Sequence, residues 1–386
     1  MELKKLDPLT SLRFFAASLI VLHHSVEIFS FKKTFLAYDQ GVSFFFVLSG
    51  FILTYVYPSL NSKHAIKRFF LARFARIWPV HFFCFLLVIF TLPKIMWIIS
   101  PTEHLWPRAL TNLLLIQAWI PRYDYFFSFD APSWSISTEF FFYLCFPFLI
   151  TRFRNTWLKK LTFCLFLVLA MILLSKLFHL ADILHTSAIY KISTDGLIYI
   201  NPISRLFEFA LGMCTALLYM NLKQRYHQLP TFYYTAVEIA LLLCVYGSLY
   251  FTYILVAHPI LYKIFGMGGI KWFCESAIAP FAAALILVTA IGKGKISKIL
   301  TTKIFVRLGE ISFALYLVHM IVLDWFLAIK PKLNFSPHIS YCIYWLVILA
   351  CSYLINKFIE EPARKFILQQ RYKTYKTLFI AGNSRS

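Results

Sequence analysis

The sequence predicts an all-α polytopic membrane protein, with about ten transmembrane helices around a central conduit and a single membrane-embedded domain over residues 1–386. Three observations lead there. Of 386 residues, 60% are hydrophobic and only 14% are charged. Mean hydropathy is +0.70. Apolar runs long enough to cross a bilayer recur from one end of the chain to the other, which no water-soluble composition tolerates.

Ten such runs are expected to span, near residues 10–30, 41–58, 77–99, 134–151, 157–179, 198–221, 232–255, 272–292, 304–329 and 338–358. The first carries Arg13 and has no small-residue cleavage site before Glu27, so it reads as a retained span rather than a signal peptide. A further apolar stretch, Leu105 to Ile120, is interrupted by Pro107 and closed by Pro121. Too short to span, it is expected to form a re-entrant or interfacial segment within a long loop.

Charge sets the orientation. The net charge is +21, but the basic residues sit in short segments between apolar runs rather than on a soluble basic face, so no nucleic-acid partner is expected. With the N-terminus inside, 25 of the 38 Lys and Arg fall in inner segments, including Lys63 to Arg76, and 11 in outer loops. The positive-inside rule then places both termini in the cytoplasm. The eight cysteines are scattered in apolar runs without CxxC spacing and read as small core residues, not metal ligands or disulfides.

Ionisable groups inside spans are costly, and they mark candidate chemistry. In LRFFAASLIVLHHS, Arg13 and His24 are eleven residues apart, about three helical turns, so they share one helix face roughly 16 Å apart. His23 points about 100° away from His24 and reads either as lining the same cavity or, the preferred reading, as a structural group satisfying a backbone carbonyl. Glu139 in SWSISTEFFFYL is expected at a depth similar to that of His24, where a carboxylate could orient the imidazole as a general base or simply pair two helices. In KRFFLARFARIWP, Arg68, Arg73 and Arg76 suit a polyphosphate ligand or anionic headgroups, and spacing does not separate the two. Ser312, Tyr316 and His319 share one face of a later span and suggest a wet cavity wall, with His319 equally readable as a packing hydrogen bond. Arg205 and Glu208 read as a neutralising structural pair. Ser49 and Gly50 read as small packing residues. No phosphate loop, HExxH or GxSxG occurs.

Seven motifs in order resemble the acyltransferase 3 family of bacterial membrane O-acyltransferases. They are Arg13 and His24 with ten residues between; Asp39, Gly41 and Val42 followed by Phe44 to Phe51; Arg73-x-x-Arg76-Ile-Trp-Pro; Pro132 to Glu139, containing Trp134 and Ser135; Arg205-x-x-Glu208-Phe-x-x-Gly212; Ser312 to His319; and Ile359-Glu360-x-Pro362-x-Arg364. Ser137-Thr138-Glu139 stands where many members carry a Val-Glu-Glu run. The resemblance implies a multi-pass protein of the bacterial cytoplasmic membrane. It also implies an acyl-CoA donor, most often acetyl-CoA, and a hydroxyl of a surface or lipid-linked glycan as acceptor.

On that footing His24, Arg13 and Glu139 are expected to be catalytic, and Arg68, Arg73 and Arg76 to hold the donor's phosphates. Asp39, Trp134, Ser135, Ser312, Tyr316 and His319 are expected to line the cavity, the last two serines and Tyr316 being oxyanion candidates. Membrane lipids are further partners, no metal is expected, and a homo-oligomer stays open. Some relatives carry a fused outer hydrolase-like domain; any second step here is expected to need another protein. Two other classes compete: a transporter or flippase with a buried His/Arg/Glu relay, and a non-catalytic subunit of polysaccharide export.

Overall fold

The computed structural model describes residues 5–29, 31, 36–94, 105–181, 190–222, 229–256, 259–329 and 335–369. Among these the chain is all-α, without strands. The principal helices are α1 (Asp7–Ser25), α2 (Gly41–Val56), α3 (Lys63–Thr91), α4 (Leu105–Leu113), α5 (Trp134–Ile150) and α6 (Phe153–Leu177). They continue as α7 (Leu206–Leu222), α8 (Thr231–Val256), α9 (Pro259–Ser276), α10 (Ala279–Ile291), α11 (Lys303–Ile329) and α12 (Pro337–Ile355). The last runs on through a π turn, Asn356–Glu360, to residue 369.

Among the described residues, eight helices are long and apolar enough to cross a membrane, α9 and α10 counting as one. To these the bundle adds α1 and the 17-residue α7. Arg13, His23 and His24 make α1 less apolar than the other spans, although it packs against α2 and α11 within the bundle.

Local chemistry explains the starts and bends. Pro8 and Pro337 occupy first turns, where their missing N–H is not needed. The Ser62 hydroxyl accepts from the Ala65 N–H and caps α3. Two pairings form the centre. α2 crosses α7 where Gly50 and Gly212 leave no room for a side chain: a Cβ on Gly212 would lie 1.9 Å from the Val47 carbonyl, and one on Gly50 1.9 Å from that of Phe209. α1 packs along α11, where Gly309 lies against the Thr10 carbonyl.

Several boundaries move. The first span ends at Ser25 rather than near 30. Lys63 to Arg76, expected as an inner loop, is instead the first half of a continuous 29-residue α3, because nothing between Lys63 and Pro79 breaks a helix and Ser62 caps it. The span expected over 198–221 is a π turn, Gly196–Ile200, then a break, then α7. The one expected over 272–292 breaks between α9 and α10. The re-entrant segment lies where expected in sequence and dips into the bundle: Leu115 and Ala118 are fully buried, the Ser137 hydroxyl donates to the Leu115 carbonyl at 2.7 Å, and His81 contacts the Asn112 carbonyl at 3.0 Å. Of the cysteines, Cys244 and Cys342 lie on the exposed surface rather than in the core.

Candidate active site

At the end of the bundle where α1, α3 and α11 begin, a cavity of about 400 Å³ runs inward between α1, α2, α3, α5 and α11. Its wall carries four guanidinium groups, Arg13, Arg73, Arg76 and Arg364, against one carboxylate, Glu139. Arg13 comes from the second turn of α1. Arg73 and Arg76 share a face of α3, and Arg73 stacks 5.6 Å from the Tyr57 ring and 5.8 Å from Tyr143. Cations held over aromatic faces keep their charge directed into the cavity.

A second, wider pocket of about 770 Å³ opens at the same end, lined by His64, Arg68 and Leu60 among others, and shares Val56 and Tyr57 with the inner cavity. Arg68 therefore stands outside, while Arg73 and Arg76 stand within.

Glu139 does not meet His24. Its Oε1 accepts from the Tyr143 hydroxyl at 2.6 Å and the Ser49 hydroxyl at 3.1 Å, in the cavity that also holds Arg13. The expected equal depth fails because the loop before α5 is recessed. Ser128, Asp130, Pro132 and Ser133 are all buried, so α5 begins well inside the bundle. Ser49, read as a packing residue, is a carboxylate ligand.

The inner end of the cavity is closed by Tyr316 and Ser135. Their hydroxyls lie 2.7 Å apart, and both reach the Pro132 carbonyl, Ser135 at 3.0 Å and Tyr316 at 3.1 Å. Trp134 backs this closure, with its ring against Phe46 and Tyr199. Ser312 lines the cavity while its hydroxyl donates to the Gly309 carbonyl at 2.7 Å.

Beyond Tyr316 lies the histidine site. His24 is half-buried and His23 exposed, which separates the two as the family motif does. The partner of His24 is His319: Nδ1 of His24 lies 3.2 Å from Nε2 of His319 and 3.0 Å from the Ile20 carbonyl. Nδ1 of His319 lies 2.6 Å from the Tyr316 carbonyl. Arg13 and His24 thus flank the Tyr316 closure, one on the cavity side and one beyond.

Asp39 does not line the cavity. It stands at the start of α2, within electrostatic range of Lys271 and Glu275. These belong to a buried polar cluster beside the break that precedes α7 and the end of α9. There Arg205 pairs with Glu208 at 3.3 Å and reaches the Ser43 hydroxyl, and Lys271 pairs with Asp195 at 2.6 Å. The Arg205–Glu208 pair was legible from its spacing; its extension to Lys271 and Asp195 was not, because those contacts cross the fold. Arg364, Tyr143 and Asp130 were also missed. Arg364 alone had a signal, its place in the last motif. Among the described residues no group of three or more His, Cys, Asp or Glu could hold a metal ion.

Comparison with known proteins places this architecture. The family described as an acyltransferase domain matches residues 8–357. The chain is 29% identical to "Acyltransferase MdmB" of Streptomyces mycarofaciens, over 83% of this chain and 79% of that protein. It is 25% identical to "Peptidoglycan O-acetyltransferase OatA" of Listeria monocytogenes, over 87% of this chain and 53% of that protein. It is 24% identical to "Putative peptidoglycan O-acetyltransferase YrhL" of Bacillus subtilis, over 84% of this chain and 50% of that protein. The chain therefore spans about half the length of the two peptidoglycan relatives. No solved structure matches it. With a family match over nearly its whole length and a bundle of membrane-crossing helices, the chain belongs to the acyltransferase 3 family and is a multi-pass membrane enzyme that transfers acyl groups.

Proposed function

We propose that the enzyme moves an acyl group, acetyl in the simplest case, from cytoplasmic acyl-CoA to a hydroxyl of a cell-surface or lipid-linked glycan, and that it works in the bacterial cytoplasmic membrane with both termini inside. One observation carries the reading. A cavity rich in arginine opens at one end of the bundle and stops at Tyr316, directly beside the His24–His319 pair. Four guanidinium groups against one carboxylate suit a polyanionic donor, since arginine binds phosphate oxygens bidentately. The outer pocket with Arg68 and His64 suits the nucleotide, and the narrower inner cavity suits the pantetheine arm, which would cover the roughly 16 Å between Arg13 and His24. The names of two relatives support a glycan acceptor.

In this mechanism His24 takes the proton of the acceptor hydroxyl as its oxygen attacks the thioester carbon. The developing oxyanion is met by a hydroxyl of Tyr316 or Ser135. Collapse breaks the carbon–sulfur bond, and the imidazolium returns its proton to the departing CoA thiolate. Glu139, fixed by Ser49 and Tyr143 among the arginines, holds the donor-binding groups in place rather than orienting the base. General-base assistance accounts for about 10²- to 10⁴-fold, and the remainder falls to positioning and oxyanion stabilisation.

The test measures transfer from labelled acetyl-CoA to membrane glycan, together with acceptor-dependent CoA release, at verified expression. His24→Ala is expected to lose at least about 100-fold in rate. Arg73→Ala is expected to raise KM for acetyl-CoA by about tenfold, the worth of one hydrogen bond to a charged group. Wild-type transfer by both His24→Ala and Arg13→Ala would reject the mechanism. A carrier would release no free CoA.

A further inference from the structure

Among the described residues the hydrogen-bond partners of His24 are a backbone carbonyl and another histidine rather than a carboxylate, and the question is what such a partner does. The titratable groups that act electrostatically on His24 are His319 and His23, and those that act on His319 are His24 and His23, among the described residues. Backbone carbonyls then decide the protonation pattern, those of Tyr316 and Leu315 at His319 and that of Ile20 at His24, because a carbonyl oxygen can only accept. The Tyr316 carbonyl, 2.6 Å from Nδ1 of His319, requires that nitrogen to carry hydrogen. The Ile20 carbonyl, 3.0 Å from Nδ1 of His24, requires the same there. Nδ1 of His24 also faces Nε2 of His319 at 3.2 Å, so this second nitrogen must be the bare acceptor. One assignment satisfies all three contacts: both rings neutral, each protonated on Nδ1, with the His24 N–H shared between the Ile20 carbonyl and His319. Nε2 of His24, which has no hydrogen-bond partner among the described residues, keeps its lone pair.

We propose that His319 is the positioning residue of the reaction: as a neutral acceptor it fixes the tautomer and ring orientation of His24, so that Nε2 is the basic nitrogen, and it stabilises the imidazolium once Nε2 has taken the acceptor's proton. This rests on the reading of His24 as the general base. A carboxylate in the same place would also fix the tautomer, but it would leave an isolated charge in a water-poor site between strokes of the reaction, at high desolvation cost. A neutral imidazole gives the same direction without that cost. It is itself held by α11 through the Tyr316 carbonyl, the residue that closes the donor cavity, so closure and base are set by one helical turn.

Two substitutions separate this role from packing. The amide of Gln reaches the position of the imidazole Nε2, and that of Asn the position of Nδ1. His319→Gln keeps an acceptor for His24, whereas His319→Asn keeps the bond to the Tyr316 carbonyl and loses His24. With the full chain in membranes and acetyl-CoA as the probe, His319→Gln is expected within about tenfold of wild-type kcat. His319→Asn should fall about 100-fold with KM for acetyl-CoA unchanged, in keeping with lost general-base help. A structural role predicts the reverse order, and that order, or wild-type kcat in His319→Asn, overturns the proposal. Should His319→Asn fail to fold, the pH–rate profile of His319→Gln decides: an unchanged acid limb supports a neutral His319, and a displaced limb refutes it. His24→Ala in the same assay separates the two failures, since full activity there removes the base itself.

Discussion

Asp130 stands one residue before the span that begins at Ala131, is 1% exposed, and has no hydrogen-bond partner for either carboxylate oxygen among the described residues. Burial, with a contribution from the negative charge of Asp324, pushes its carboxyl well above the ordinary value of 3.8. The native chain therefore holds this proton more tightly than the unfolded chain does. Its stabilising contribution is complete below about pH 4 and is lost as pH rises through the folded value. Melting of the detergent-solubilised protein should fall with rising pH over that window, and Asp130→Asn should flatten the dependence without lowering stability at neutral pH. A less stable Asp130→Asn at pH 7 would mean that the carboxylate has a partner there. Residue types were readable beforehand: a base needs an imidazole, a phosphate needs arginine, and both were found in the sequence. Partners were not, because the neighbour of His24 lies 295 residues away at His319 and the ligands of Glu139 come from two different helices.

Helices are brought together here by the absence of side chains. In lipid, association relies on close backbone contact rather than on apolar burial, and Gly50 and Gly212 bring α2 and α7 to within contact distance of each other's carbonyls. Gly212→Ala should destabilise the fold by about 1–3 kcal/mol, the usual range for an added methyl in a filled contact, measured as loss of monodisperse protein on heating in detergent. A wild-type profile would deny the crossing. The spans themselves were legible from apolar length. Their interruptions near Arg205 and between α9 and α10 were not, because irregular backbone survives at membrane depth only where the tertiary structure satisfies it. Here the Thr138 hydroxyl donates to the Ile200 carbonyl, the Ser204 hydroxyl to the Leu197 carbonyl, and the Ser43 hydroxyl to the Glu275 carbonyl. Reading Lys63 to Arg76 as a loop failed for a related reason: basic residues mark a membrane side without ending a helix, and α3 continues past the interface.

At the scale of the whole molecule the proposed orientation makes a separate prediction. Asn61 and Phe335 are both exposed, at opposite ends of the bundle on the charge-based topology. In sealed right-side-out vesicles an impermeant thiol reagent should label Phe335→Cys and leave Asn61→Cys untouched until the membrane is opened. The opposite pattern would invert the topology and place the arginine cavity on the wrong side for a cytoplasmic donor.

Composition and periodicity alone determined that this is a multi-pass helical membrane protein, because crossing hydrocarbon demands a length of apolar helix that is written locally. The ordered motifs likewise marked Arg13, His24 and the Arg73–Arg76 pair. Only the tertiary structure decided that Arg13 and Glu139 share one cavity, that Tyr316 closes it, and that His24 leans on His319 instead of on a carboxylate. Those are contacts between helices, set by where glycines let backbones touch and by how far a recessed loop lowers the start of α5, and no local pattern encodes either depth or partner.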